Sequence, residues 1–262
     1  MVRKYYCCEM AGFSVPATEH NTMTTWAALS DGGETEACNH MISTFPNGII
    51  SVVSDSFDIF DCCERIWGNE LRAQVIERGN KDGNVLVIRP DSGDPTKVLP
   101  KVLEILGKSF GYSVNSKGYK MLPNFIRIIQ GDGINYESLR VILAKIEEAG
   151  WSSSNLVFGS GGSLLQRLDR DTQKCAFKCS YAVINGKGVD VFKDPVTDRG
   201  KTSKKGILTL QKIKNDDGTE NYMTFEEGTG DPTKDLLITV FENGKLLKEY
   251  SFDEVRENAK IM

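Results

Sequence analysis

The sequence lacks an apolar run long enough to cross a bilayer, and it has little of the positive charge that polyanions attract. No stretch of about 18 apolar residues occurs, so no membrane-spanning helix is predicted. The formal net charge of -4 gives no basic footprint for nucleic acid or for an anionic membrane surface. We therefore expect neither a membrane nor a nucleic acid as a partner.

Several motifs of enzymes and metal proteins are also absent. The chain contains no C-x-x-C, no H-E-x-x-H and no G-x-S-x-G, which argues against zinc sites, zincins and serine hydrolases. Its seven cysteines are odd in number and include two adjacent pairs, Cys7-Cys8 and Cys62-Cys63, which bridge poorly. This usage is typical of reduced thiols, so we expect a cytoplasmic protein.

A repeated pattern is present instead. A short β-rich apolar run ends in a cluster of Asp, Gly, Ser or Arg, and a helical pattern follows. The runs are Ile49 to Ser54, Val85 to Arg89, Phe125 to Ile129 and Leu156 to Phe158. The repetition predicts an α/β fold with a parallel sheet, in which ligands bind at the carboxyl ends of the strands. Pattern alone does not distinguish a barrel from an open sheet.

The connecting segments predict four helices and one further strand. We expect a helix over about 58–78 that is broken or bent near Gly68, one from Pro100 to Gly107, and one that Asn135 caps and Gly150 stops. A helix over 164–170 and a fifth strand over 177–184 follow.

The pattern changes after about residue 190. Apolar runs that flank Asn215-Asp216-Asp217-Gly218 and Glu242-Asn243-Gly244-Lys245 predict antiparallel hairpins, and a short helix is expected over about 253–259. We therefore divide the chain into an α/β part, residues 1–190, and a β-rich C-terminal part, residues 191–262.

The polar clusters at the strand ends are individually weak signals. Glycines at 159, 161 and 162 before a helix suit either a phosphate cradle or a tight turn. Arg89 and Asp91 suit either a phosphorylated sugar or an internal ion pair. Asp132 suits a ribose or an Asx turn. His20, one of only two histidines, is by itself more typical of a structural residue. The basic segment 201–206 is by itself more typical of a solvated loop. Together they favour a phosphorylated sugar ligand.

Eight longer motifs, in order along the chain, resemble nicotinamide phosphoribosyltransferases. They lie at 14–20, 51–58, 88–93, 129–133, 158–162, 177–181, 191–196 and 203–206, and the match runs from about Lys4 to the end of the chain. The resemblance implies an incomplete (β/α) barrel of the type II phosphoribosyltransferase kind with a C-terminal antiparallel β appendage. It also implies a pentosyltransferase of NAD salvage, in which ribose 5-phosphate passes from phosphoribosyl diphosphate to nicotinamide. Magnesium is then required, and ATP phosphorylates a histidine.

The resemblance also assigns site residues. His20 matches the phosphorylated histidine, and we hypothesise that Asp55 accepts a hydrogen bond from its other ring nitrogen. Diphosphate contacts match His20 and Arg89. The nucleotide and substrate positions are Ser51, Arg89, Asp91, Gly131, Asp132, Gly161, Gly162, Arg170 and Lys178. In the family, the positions of Arg170 and Lys178 reach the site across a homodimer interface.

The chain departs from the family pattern at its start. It begins inside that pattern, so the upstream aspartate that holds the nicotinamide amide, the stacking aromatic and a diphosphate arginine are not present. Three alternatives are open: a second chain that supplies the N-terminal half, a fragment, or a non-catalytic homologue that binds nucleotide or a partner subunit. A nicotinate-using enzyme fits the motifs less well.

Overall fold

A computed structural model describes residues 2–9, 14–159, 161 and 176–259. The chain divides into two compact units, residues 1–205 and 206–262. The strands of both units are β1 Ile49–Val53, β2 Val85–Arg89, β3 Ser113–Val114, β4 Lys120–Met121, β5 Ile126–Gln130, β6 Leu156–Phe158, β7 Tyr181–Ile184, β8 Lys187–Asp190, β9 Leu208–Lys214, β10 Glu220–Glu226, β11 Phe241–Glu242 and β12 Lys245–Leu246. The α-helices are α1 Val2–Tyr5, α2 His20–Leu29, α3 Gly33–Thr44, α4 Ile59–Asp61, α5 Arg72–Gly79, α6 Pro95–Phe110, α7 Tyr136–Glu148 and α8 Phe252–Asn258.

A four-stranded parallel sheet in the order β1-β2-β5-β6 organises the first unit. The inner residues of β1 and β2 are buried on both faces, as is typical of strands in a covered parallel sheet, whereas β5 alternates between buried and half-buried side chains. Because all four strands are parallel, their carboxyl ends lie at one edge of the sheet. The predicted α/β class with a parallel sheet is therefore confirmed.

The helix that follows β1 is interrupted, as the sequence predicts. After α4 the backbone takes a π-helical form over Cys62–Glu70, and α5 resumes at Arg72. Gly68 lies inside the π-helical stretch, where an added Cβ would be 2.4 Å from Ser109 Oγ on α6. A glycine at this position therefore lets the two helices approach closely.

The predicted bounds of α6 are wrong at both ends. Asp94 caps the helix by accepting a hydrogen bond from the Thr96 amide, with Pro95 in the first turn, so the helix starts five residues before Pro100. Gly107 does not stop the helix either. It is buried, and an added Cβ would be 2.6 Å from Trp151 Cη2, so this glycine serves packing. Gly111, with φ of 80°, ends the helix.

The capping of α7 is confirmed, whereas the predicted fifth strand is wrong in extent. Asn135 caps α7 by accepting from the Ser138 amide. Only residues 181–184 of the strand expected over 177–184 are extended in a ladder. They pair antiparallel with β8 across the Asn185-Gly186 turn, where both residues have positive φ, and so form a hairpin apart from the parallel sheet. The helix expected over 164–170 lies outside the described residues.

The described residues of the second unit, 206–259, form two antiparallel hairpins and an α-helix. β9 pairs with β10 over seven residues on either side of the 215–218 turn, which confirms the longer predicted hairpin. The 242–245 hairpin is confirmed as well, although only two residues from each strand pair. Helix α8 begins after Ser251, whose hydroxyl and the Glu254 side chain form a reciprocal capping box.

Candidate functional site

His20 is brought to the carboxyl end of β1 by the segment that precedes it. The Ser51 amide donates to Pro16 O and the Thr18 amide donates to Ser51 O, at 2.9 and 3.1 Å, so this segment runs parallel to β1. The Thr18 hydroxyl then accepts from the Val53 amide. Ser51 is buried in this contact, and helix α2 begins at His20 immediately afterwards.

The side chains of His20 and Asp55 form a buried pair. His20 Nε2 lies 2.9 Å from Asp55 Oδ1, and the two side chains are 4% and 1% exposed. The second carboxylate oxygen accepts from the Asp91 amide at 2.9 Å. Burial by itself would raise the pKa of Asp55, but the hydrogen bond from His20, together with the nearby Ser92 hydroxyl and the Asp91 amide, outweighs it and holds this pKa below its ordinary value. Asp55 is therefore an ionised acceptor, and His20 Nε2 carries the proton.

Arg89 and Asp91 extend the pair along the ends of the strands. His20 Nδ1 is 4.0 Å from Asp91 Oδ2, and Arg89 Nη2 donates to Glu19 Oε1 at 3.2 Å. Burial raises the pKa of Asp91, although Arg89 and His20 partly oppose this shift. Among the described residues, the buried Nε of Arg89 has no hydrogen-bond partner, so it is a donor suited to an anion.

The end of β5 contributes Asp132, which meets a lysine from the loop after β8. Lys201 forms an ion pair with Asp132, and its ammonium also donates to Asp91 O at 3.0 Å. Burial would lower the pKa of Lys201, but the hydrogen bond from its ammonium to Asp132 raises it. The interpretation of 201–206 as a solvated loop is thus wrong at Lys201, because this side chain is half-buried among the strand ends.

Lys193 is a second cation that sequence reasoning missed. Its side chain is buried, and this burial lowers its pKa against the opposing field of Asp55 and Asp91. The motif at 191–196 covered this position, but no feature of the motif indicated that the lysine is buried near the carboxylates. Its position follows from the three-dimensional path of the residues after β8.

The glycine and interface positions are less well connected to this cluster. Gly131 and Gly161 are exposed at the ends of neighbouring strands, and Lys178 is exposed. Gly162 and Arg170 lie outside the described residues. In the part of the chain that the structure describes, no group of three or more His, Cys, Asp or Glu side chains is placed to hold a metal ion.

The described site thus gathers a histidine, three carboxylates, an arginine and two lysines where parallel strands end. This arrangement is typical of α/β proteins that bind phosphorylated ligands. The chain belongs to the nicotinate phosphoribosyltransferase (NAPRTase) family, whose model matches residues 4–245. The family resemblance of the sequence motifs is therefore confirmed.

Curated relatives point in the same direction. A nicotinamide phosphoribosyltransferase of Xanthomonas campestris is 45% identical over 99% of this chain and 54% of its own length. One of Acinetobacter baylyi is 34% identical over 97% of this chain and 52% of its own length. One of Mycoplasma pneumoniae is 34% identical over 74% of this chain and 44% of its own length. The chain spans about half the length of the curated relatives it matches.

None of the helices that the structure describes has the length and apolar character needed to cross a membrane.

Proposed function

We propose that this chain provides the phosphoribosyl-diphosphate site of a nicotinamide phosphoribosyltransferase in NAD salvage. Ribose 5-phosphate passes from phosphoribosyl diphosphate to the ring nitrogen of nicotinamide, and nicotinamide mononucleotide and diphosphate are formed. The observation that carries this proposal is the buried His20–Asp55 pair beside Arg89, Asp132 and Lys201 at one edge of the parallel sheet. The names of the relatives support the choice of nicotinamide.

The charges of the site suit this transfer. When the anomeric C–O bond breaks, both bonding electrons leave with diphosphate and positive charge develops on the ribose. Arg89, Lys193 and Lys201 stabilise the leaving anion, because preorganised charge in a partly buried site acts strongly where new charge appears. Asp91 and Asp132 accept hydrogen bonds from the ribose hydroxyls and fix the reacting geometry.

His20 has the geometry of a phosphoryl acceptor. Since Asp55 holds the proton on Nε2, the lone pair of His20 is on Nδ1, which faces the partly exposed Asp91. Nδ1 attacks the γ-phosphorus of ATP, the bond from that phosphorus to the bridging oxygen breaks, and ADP leaves. Asp55 stabilises the imidazolium that forms, as an orienting carboxylate does in other histidine sites.

The carboxylates of this site suit Mg²⁺ only if the substrate phosphates provide further oxygen ligands. Asp91 and Asp132 are close enough for the charge of Asp132 to raise the pKa of Asp91, and both offer oxygen ligands. Mg²⁺ is commonly held by one or two carboxylates together with substrate phosphates. We infer that these two aspartates would hold it together with the substrate, and that the ion would supply positive charge to stabilise the leaving group.

We further propose that a closed barrel and a homodimer complete the site in the cytoplasm. The curated relatives extend well beyond the matched half, and an N-terminal half or a second chain would supply the nicotinamide pocket. Two exposed apolar side chains support the presence of further protein surface against this unit. Val157 on β6 is 47% exposed, and Phe177 beside Lys178 is fully exposed. The Phe177–Lys178 segment is then the dimer contact.

Nicotinamide mononucleotide formation tests the proposal directly. The chain is assayed alone and with a polypeptide that carries the unmatched part of the Xanthomonas relative. His20→Ala is compared with the control His40→Ala, which changes a half-buried histidine that stacks on Trp26. We expect turnover only in the complemented mixture and a loss of ATP stimulation with His20→Ala. Robust turnover by the chain alone would show that the upstream groups are dispensable. Binding of phosphoribosyl diphosphate without turnover in any mixture would favour the non-catalytic homologue.

A further inference from the structure

Residues 191–203, which we call the strap, deliver both lysines to the site. The strap lies along the segment that follows β1, where the Asp194 amide donates to Ser56 O at 2.9 Å and the Val196 amide donates to Phe57 O at 2.8 Å. Its two ends are joined because the Ser203 amide donates to Lys193 O at 3.1 Å. The position of the strap therefore determines where Lys193 and Lys201 lie.

A second contact fixes the strap to the loop after β2. Thr197 Oγ1 lies 2.6 Å from Ser92 Oγ, and Ser92 is buried. The next residue, Gly93, has φ of +81°, and an added Cβ would be 2.8 Å from Thr197 Cβ and 3.2 Å from Thr197 O. The Ser92-Gly93 pair is therefore shaped to receive Thr197, a role that the phosphoribosyl chemistry does not explain.

The loop that Thr197 holds also binds Asp55. Asp91 directly precedes Ser92, and its amide donates to Asp55 Oδ2 at 2.9 Å, whereas Asp55 Oδ1 lies 2.9 Å from His20 Nε2. A continuous series of contacts therefore runs from Thr197 to Ser92, and through the adjacent Asp91 amide to Asp55 and His20.

We propose that Thr197 is a positioning residue that couples the seating of the strap to the orientation of His20. When the strap is seated, the Thr197 hydroxyl fixes Ser92, and this keeps the adjacent Asp91 amide on the Asp55 carboxylate that orients the imidazole. Loss of the Thr197 hydroxyl frees Ser92 and so weakens the hydrogen bond from the Asp91 amide to Asp55. The inference rests on the proposed function, since it links the diphosphate lysines to the histidine that ATP phosphorylates.

The exchange rate of the His20 Nε2 proton with water, measured by NMR on the ¹⁵N-labelled full chain, tests this coupling. Thr197→Val keeps the shape of the side chain and removes the hydroxyl, whereas Thr197→Ser keeps the hydroxyl. We expect exchange about fivefold faster in Thr197→Val, the size of one modest hydrogen bond, and a wild-type rate in Thr197→Ser. An unchanged rate in Thr197→Val overturns the inference.

Two glycine-to-alanine variants control for a general loosening of the fold. Gly93→Ala should also speed the exchange, because the new methyl group displaces Thr197. Gly83→Ala carries the same backbone strain, with φ of +79°, but meets no atom within 4 Å and should leave the rate unchanged. Equal rates in the two alanine variants would contradict the role of the Ser92-Gly93 pair.

Inorganic diphosphate with Mg²⁺ separates this inference from the proposed function. We expect diphosphate to slow the exchange in the wild type, and to do so less in Thr197→Val. Failure of diphosphate to bind the wild type would contradict the proposed function, whereas the comparison in the ligand-free chain would still decide the coupling. Equal slowing in both proteins overturns the coupling alone.

Discussion

Removal of the Asp55 carboxylate should destabilise the first unit by an amount that the structure defines. In Asp55→Ala, two donors lose their acceptor: the buried His20 Nε2–H and the half-buried Asp91 amide, both now at 2.9 Å from Asp55 oxygens. An unsatisfied buried donor costs about 1–3 kcal/mol, and a half-buried one costs at most as much, so the free energy of unfolding should fall by about 1–6 kcal/mol at neutral pH. Phosphorylation of His20 by ATP should fall as well, because the imidazole loses the group that orients it.

The pH dependence of this loss has a definite sign. The folded-state pKa of Asp55 lies below its ordinary value of 3.8, so the stabilisation is present above that value and is lost as the pH falls through the folded-state pKa. The difference between wild type and Asp55→Ala should therefore be largest near neutral pH and should shrink in acid.

Denaturant unfolding followed by tryptophan fluorescence measures the effect. Trp67 is a suitable reporter, since its indole donates to Ser54 Oγ beside Asp55. The exposed Asp82 provides the control, and Asp82→Ala should change stability by less than about 0.5 kcal/mol. If Asp55→Ala matched that control at pH 7 and phosphorylation were unchanged, the reasoning on the buried pair would be refuted.

Three further perturbations test separate parts of the account. Lys201→Ala should weaken the binding of inorganic diphosphate by about ten- to hundredfold in calorimetry, whereas the exposed Lys97→Ala should not; equal affinities would remove Lys201 from the site. Glu34→Gln should stabilise the protein by about 1–3 kcal/mol at pH 8 but not at pH 4. Burial raises the pKa of Glu34 from 4.5 to about 7, so the stability that the protonated carboxyl contributes below pH 4.5 is lost as the pH rises through 7. An effect on denaturant unfolding that did not change with pH would contradict this. Gly107→Ala should cost about 1–3 kcal/mol in the same assay by pressing on Trp151, and a neutral result would show that the helix packing relaxes freely.

The sequence predicts those strands and helix caps that depend only on residues close together in the chain. The strands at 49–53 and 85–89 and the Asn135 cap follow from apolar runs and one side chain, and the structure contains them. The predicted start of α6 at Pro100 is wrong because two prolines suit a first helical turn, and the cap by Asp94 places Pro95 there instead. The role of Gly107 could not be read from the sequence, since it depends on Trp151, which lies far along the chain.

The candidate site was predictable only in part for the same reason. Histidine, arginine and aspartate at strand ends were visible in the motifs, whereas Lys193 and Lys201 reach the site from a strap whose path is set by hydrogen bonds to Ser56 and Phe57. Long-range contacts of this kind leave no periodic trace in the sequence. Gly162 and Arg170, to which the resemblance assigns contacts with the ligand, lie outside the residues that the structure describes.

The central claim is that Arg89, Asp132 and the His20–Asp55 pair share one sugar-phosphate ligand. A crystal structure of the chain with phosphoribosyl diphosphate and Mg²⁺ measures this most directly. We expect one ligand whose diphosphate contacts Arg89 and Lys201 and whose ribose hydroxyls lie within hydrogen-bond distance of Asp132. A ligand bound away from His20, or Arg89 and Asp132 contacting no common molecule, would contradict it.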